Sequence, residues 1–159
     1  MRRGVRIGVD VGKARTGLAI SDSDGILATP VGTFRAGGQD IHEVMSLVRE
    51  KNVLEVIVGL PYNMDGSEGA SARMARNWAR RVAKRIAPVP VRMVDERLTT
   101  VTAHQKLHSV GKELRAHKAV VDQVAATLIL DNALETERRT GRAPGELFEL
   151  YPPSDTRIG

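Results

Sequence analysis

The stretch GVDVGKARTGLAIS, residues 8–21, sets an aspartate inside what otherwise reads as a buried β-strand, then follows it with a glycine turn, basic residues and a second apolar run. Read back to residue 5, Val5, Ile7, Val9 and Val11 alternate with Arg6, Gly8 and Asp10, the period-two pattern of a strand. TGLAIS continues as a second strand after the turn at Gly12, and GILATPVGTFR, behind the turn signal Asp24-Gly25, offers a third. Together they predict a meander. An unpaired carboxylate at Asp10 would carry a desolvation cost of several kcal/mol, so it must be neutralised by a cation, hydrogen-bonded, or held at the strand's exposed end for chemistry.

The chain around this stretch has 159 residues, enough for one domain with a real core and too few for two. Hydrophobic residues make up 42%, and no apolar run approaches the roughly 20 residues of a membrane span. The start, MRRGVRIGVD, runs straight into strand-like sequence with no apolar leader segment, and there is no cysteine. A cytoplasmic protein is expected, without disulfides, thiolate catalysis or cysteine-bearing zinc sites. The net charge of +5 favours a polyanionic partner. With only 3% aromatic residues, base stacking on exposed rings is disfavoured, so a nucleic acid would be held by its backbone.

Further along, DIHEVMSLVREK (40–51) places Ile41, Val44, Met45 and Val48 at helical spacing, with Asp40 as its N-cap. VLEVIVGLP is a β-branched strand, YNMDGSEG a loop, and 67–87 an amphipathic helix; this order suggests a parallel crossover. VPVRMVDE is a fifth strand whose acidic pair falls at its C-terminal end, where open α/β sheets place ligands. TTVTAHQKLHSV reads as a helix, GKELRAHK as a basic loop, and 118 to about 138 as a largely apolar helix. The remainder, 139–159, carries turn formers without periodicity and is expected to be a flexible tail after a domain spanning 1–138.

On a helical wheel Asp122 falls among Ala125, Ala126, Ile129 and Ala133, an apolar face, whereas Asp131 lies on the opposite, polar side. The small alanines would let that helix approach the sheet and bring Asp122 toward the strand ends bearing Asp10 and Glu96. Convergent carboxylates raise one another's pKa unless a cation sits between them. Magnesium or manganese suits such an oxygen-donor set, and two ions about 4 Å apart can activate water and stabilise the leaving oxygen of a phosphodiester. Commonplace roles compete: a turn or cap for Asp10, a salt bridge with Arg92 or Arg97 for Asp95 and Glu96, and a helix-dipole acid for Asp122. The joint pattern favours the metal site.

In the second helix Met74, Trp78, Val82 and Ile86 form a core stripe, while Arg73, Arg76, Arg80 and Lys84 line another face. A solvated face is the ordinary explanation. Arg81 and Arg85 add to it, however, and Glu68 is the segment's one acid, so contact with backbone phosphates is expected. His42, His104, His108 and His117 complete no metal-ligand pattern, and Ser21 and Ser67 have no indicated histidine partner. DVGKARTG lacks P-loop spacing; its likeness to the phosphate hairpin of actin-like kinases fails because 159 residues cannot build two ATP-enclosing lobes.

GVDVGKARTGLAISD, VIVGLPYNMDGSEG, VDERLTT and VDQVAATLIL, in that order over residues 5 to 136, together resemble the YqgF/RuvX family of ribonuclease H-like nucleases. Members of that family are described as Holliday-junction resolvases and as nucleases that mature the 5′ end of pre-16S ribosomal RNA. The resemblance implies an α/β, ribonuclease H-like fold: a five-stranded mixed sheet, its first three strands antiparallel, with helices on both faces. It also implies a metal-dependent acidic site, with Asp10, Glu96 and Asp122 on the family's acidic positions and Asp95 as the neighbour that competes with Glu96. Where the family usually has lysine before the arginine of its first motif, this chain has Ala14, with Lys13 one place earlier.

The expected protein is thus a Mg²⁺- or Mn²⁺-dependent nuclease, with Arg15, Arg97 and the basic face of the second helix on the phosphate backbone. Its substrate would be a structured RNA or a four-way DNA junction, the latter calling for a homodimer. A non-catalytic RNA- or ribosome-binding adaptor with a vestigial acidic cluster is the alternative.

Overall fold

The computed structural model describes residues 1–97 and 118–150, apart from the side chains of 118–123. The elements run β1 (Val5–Asp10), β2 (Arg15–Ser21), β3 (Ala28–Arg35), α1 (Gln39–Glu50), β4 (Val53–Leu60), α2 (Ala70–Ile86), β5 (Val91–Asp95), α3 (Lys118–Thr140) and β6 (Glu146–Leu147). They form one sheet in the order β3-β2-β1-β4-β5-β6. The meander is antiparallel, with Asp10 opposite Gly17 and Thr16 opposite Phe34. β4 and β5 then join in parallel, Val9 beside Val58 and Leu60 beside Asp95.

Strand alternation divides the interior in two. Ile7, Val9, Leu18, Val56 and Val58 pack on the buried faces of α1 and α2, including Ile41, Val44, Trp78 and Val82. On the other side Ala19, Ile57 and Val94 pack against Ala126, Ile129, Leu130 and Ala133 of α3. A Cβ on Gly8 would lie 2.6 Å from the Cβ of Leu130 and 3.0 Å from the carbonyl oxygen of Ala126, so bare glycine lets α3 lie directly on β1.

Four sequence expectations change. The sheet has six strands rather than five, because residues beyond α3 turn back along β5: Phe148 donates its amide to Val91 at 2.8 Å, and Phe148 and Leu150 pack on the α1/α2 core. The segment expected to be a tail is therefore structured as far as residue 150. The second helix begins at Ala70 rather than 67, after a turn closed by the Asn63 amide on Ser67 O and by Gly66 at φ +88°. Asp40 is not an N-cap. It is fully buried in the first turn of α1, where Oδ2 accepts from Thr16 Oγ1 (2.6 Å) and Trp78 Nε1 (2.8 Å) and Oδ1 from the amides of Gly38 and Ile41. One carboxylate thus ties β2, α1 and α2 together, which its local sequence could not announce.

A second buried network escaped the sequence reading. Arg6 and Glu55 are wholly buried and Glu137 is 3% exposed. Arg6 donates to Glu137 at 3.1 Å, Arg2 bridges Glu137 (2.6 Å) and Glu55 (2.9 Å), and Arg92 reaches Glu55 at 3.2 Å. The network clamps α3 to the end of β1 opposite Asp10. Burial raises the Glu137 carboxyl, but the hydrogen bonds and charge of Arg2, with Arg6 behind them, hold it below the usual glutamate range.

The helix expected over 99–110, the basic loop that follows it, and His104, His108 and His117 lie outside the described residues. Among the described residues, no helix is long and apolar enough to cross a membrane.

Candidate active site

The parallel register puts the carboxyl ends of β1, β4 and β5 at one rim of the sheet. Asp10 closes β1 there, on the face toward α3. Glu96 follows directly on β5, and its amide donates to Leu60 O at 3.1 Å, which fixes the chain as it leaves the sheet. Between β1 and β5 stands β4, whose residue at this level and on this face is Gly59. A Cβ at 59 would sit 2.7 Å from Ile129 Cδ1 and 3.5 Å from the Glu96 carboxyl carbon. Because no side chain occupies that spot, the two acids reach each other across β4, and a hydrogen bond joins their carboxyl groups.

Burial pushes the Glu96 carboxyl above the usual range, the hydrogen bond to Asp10 acts the other way, and the charge of Asp95 adds to the rise. Asp95 differs from its neighbour. It accepts from the Arg97 guanidinium at 2.8 and 3.1 Å and is held below the usual carboxylate range. So the structure places Glu96 against Asp10 and Asp95 on Arg97.

α3 runs antiparallel to β1, since Ala126 and Leu130 cover Gly8 while Glu137 reaches Arg6. Position 122 is one turn before Ala126 and hence farther toward the Asp10 rim. The Asp122 side chain lies outside the described residues. Among the described residues, no group of three or more acids and histidines is arranged to hold a metal. The two oxygen-donor carboxyls nevertheless fit a hard divalent cation, because paired acids at neutral pH require either a shared proton or a positive charge.

The predicted basic residues divide between the two faces. Arg15 opens β2 on the Asp10 side. Arg97 stands over the Tyr62 ring at 5.0 Å while engaged by Asp95. Arg73, Arg76, Arg80 and Lys84 belong to α2, on the opposite face of the sheet. Arg76 is bound to Glu68 at 2.6 and 2.7 Å; the pair spans the loop before α2 and is not an i,i+4 pair within the helix. Arg80 lies 6.0 Å from the Phe148 ring centroid. Arg73, Arg80 and Lys84 are exposed.

A meander extended by two parallel strands, with an acid at the carboxyl end of β1 meeting another just past β5, is the arrangement of the ribonuclease H-like class. Consistent with that class, the chain is similar in fold to RuvC of T. thermophilus in complex with Holliday junction substrate: 18% identity, a TM-score of 0.53, covering 91% of this chain and 99% of that one. The family model described as "RuvX: Holliday junction resolvase" matches residues 4–136. The chain belongs to that family of phosphodiester-hydrolysing nucleases. Among its relatives, a protein of Thermobifida fusca named "Putative pre-16S rRNA nuclease" is 53% identical over 159 residues, covering 96% of this chain and all of the relative. A like-named protein of Streptomyces coelicolor is 51% identical over 154 residues, covering 94% of this chain and 91% of that one.

Proposed function

We propose that the chain is a divalent-metal-dependent endonuclease that trims the 5′ end of pre-16S ribosomal RNA. The observation that carries this reading is the contact of Asp10 with Glu96 across the bare Gly59. Half-buried carboxyls pressed together are costly to a fold unless a cation or a proton uses them. Asp10, Glu96 and Asp122 would hold Mg²⁺ or Mn²⁺, the third from the rim-facing end of α3. When bound, the metal supplies an activated water and charge stabilisation for the departing oxygen.

The chain's own residues position the substrate. Arg15 lies on the Asp10 face and Arg97 directly follows Glu96; both suit the phosphates flanking the scissile bond. Arg73, Arg80 and Lys84 hold backbone leading away over the other face, with Arg76 contributing where Glu68 releases it. Such contacts read the backbone and not the bases, and they make binding fall with salt.

Pre-16S RNA is preferred over a junction because the relatives that match at about half identity over nearly full length carry the ribosomal name. A four-way junction is the second substrate to test, since the family description and the RuvC likeness both point there. Side-by-side cleavage of the two substrates, with metal and with chelator, tests the assignment. Binding by wild type and Asp10→Asn alike, with no cutting under either metal, would favour the adaptor reading.

A further inference from the structure

On the face of β1 away from the acid pair, a cleft of about 480 Å³ opens between the β1–β2 turn, the β3–α1 loop and the first turns of α2. That volume falls within the range of small-molecule sites, about 300–1,000 Å³. Lys13, Arg73 and Arg81 stand around it, and no acidic residue lines it. Arg81 donates to Gly37 O at 3.0 Å and so ties the loop to α2. Among the described residues, the side chains of Lys13 and Arg73 make no ion pair. The half-buried Met74 and buried Trp78 supply apolar surface beneath this cationic rim, and Asn77 adds an amide.

Three cations lining one cleft, with no acid beside them among the described residues, repel one another, an arrangement that an anionic ligand relieves. An apolar base below them excludes a purely polar anion as the best fit. We propose that this cleft binds one nucleotide unit, with the phosphate on Lys13, Arg73 and Arg81 and the base against Met74 and Trp78. The wall of the cleft begins at Val11, the residue after Asp10, and continues through Gly12 and Lys13 of the β1–β2 turn, next to the rim that carries the acid pair. A strand crossing the β1–β2 turn therefore runs from one site to the other. In that form the inference rests on the nuclease reading; as a site for a free nucleotide it does not.

Trp78 is the chain's sole tryptophan and lines the cleft, so its fluorescence reports occupancy. The probes are adenosine, adenosine 5′-monophosphate and a 5′-phosphorylated single-stranded tetranucleotide, titrated in chelator against wild type, Asp10→Asn, Lys13→Gln and Arg73→Gln. Both basic residues are exposed, and circular dichroism checks that their variants keep the fold. The expected result is saturable binding of the phosphorylated probes, weakened about tenfold by either basic substitution, with the mononucleotide unaffected by Asp10→Asn. A tetranucleotide about tenfold tighter than the mononucleotide assigns the cleft to the substrate strand, and equal affinity assigns it to a free nucleotide. The proposal is overturned if adenosine binds as well as its monophosphate, if Arg73→Gln binds like wild type, or if no probe gives a saturable change. Because nothing here depends on metal or cleavage, failure of the nuclease assignment leaves this result readable.

Discussion

Asp10 and Glu96 meet over Gly59: the strand between them presents no side chain at the one level where their carboxyl groups must touch. Each partner is ordinary alone, a strand-end acid and a loop acid. The cost of pressing them together is a constraint that the function must explain.

Removing either carboxyl should therefore abolish cleavage without unfolding the chain. Losing an outer-shell partner of a metal site typically costs 10–100-fold, so Asp10→Asn and Glu96→Gln should lose more than about a hundredfold. Asp95→Asn should lose less, since Asp95 is spent on Arg97. Single-turnover cleavage rates check the ranking; an Asp95 variant as inactive as Glu96→Gln would reverse the assignment of the pair.

Metal should also stabilise the fold. Saturating Mg²⁺ or Mn²⁺ at about 100 times its dissociation constant adds about 2.7 kcal/mol. Thermal melts should show that gain in wild type and its loss in Asp10→Asn. Without metal the ranking inverts, because Asp10→Asn removes a carboxylate from beside Glu96 and should melt above wild type.

Acid stability follows from Glu137. Its folded pKa lies below the ordinary glutamate value of 4.5, so its contribution is complete above that pH and is lost as pH falls through the folded value. Glu137→Gln leaves the wholly buried Arg6 without its charge partner and should cost about 3 kcal/mol at neutral pH. Its denaturation midpoint should depend less on pH below 4.5 than that of wild type. Urea titrations at neutral and acid pH measure both effects.

Close packing at Gly8 makes another test. The Ala126 carbonyl is backbone and cannot swing away, so Gly8→Ala should lift α3 from β1 and cost about 1–3 kcal/mol. Because α3 carries Asp122, cleavage should fall by more than the folded fraction does, and the ratio of specific activity to folded protein shows it.

These contacts also explain what could be read in advance. Asp10 stood out because alternation put a charge in a strand that otherwise read as buried, and the Asp95–Glu96 pair because it ended another strand of the same sheet, with the family resemblance favouring Glu96. Arg6 obeyed the same alternation and was passed over; a buried arginine needs a partner, and Glu137 lies far along the chain. Glu55 within VLEVIVGL was the available clue. Helical periodicity correctly turned Trp78 and Val82 inward, but a wheel cannot say which side of a sheet a helix covers. The sequence therefore left open which side of the sheet the basic face of α2 occupies, and it lies across the sheet from the acids. β6 was missed because two residues are too few for alternation to register, and their pairing is fixed by the edge of β5.

The measurement that bears most directly on the central claim is cleavage of end-labelled pre-16S RNA and a matched four-way DNA junction by wild type and Asp10→Asn, in Mg²⁺, in Mn²⁺ and in chelator. The account predicts metal-dependent cutting of the RNA near its mature 5′ end, faster than any cutting of the junction, and abolished in the variant. Cutting that survives chelator or the loss of Asp10 would contradict it.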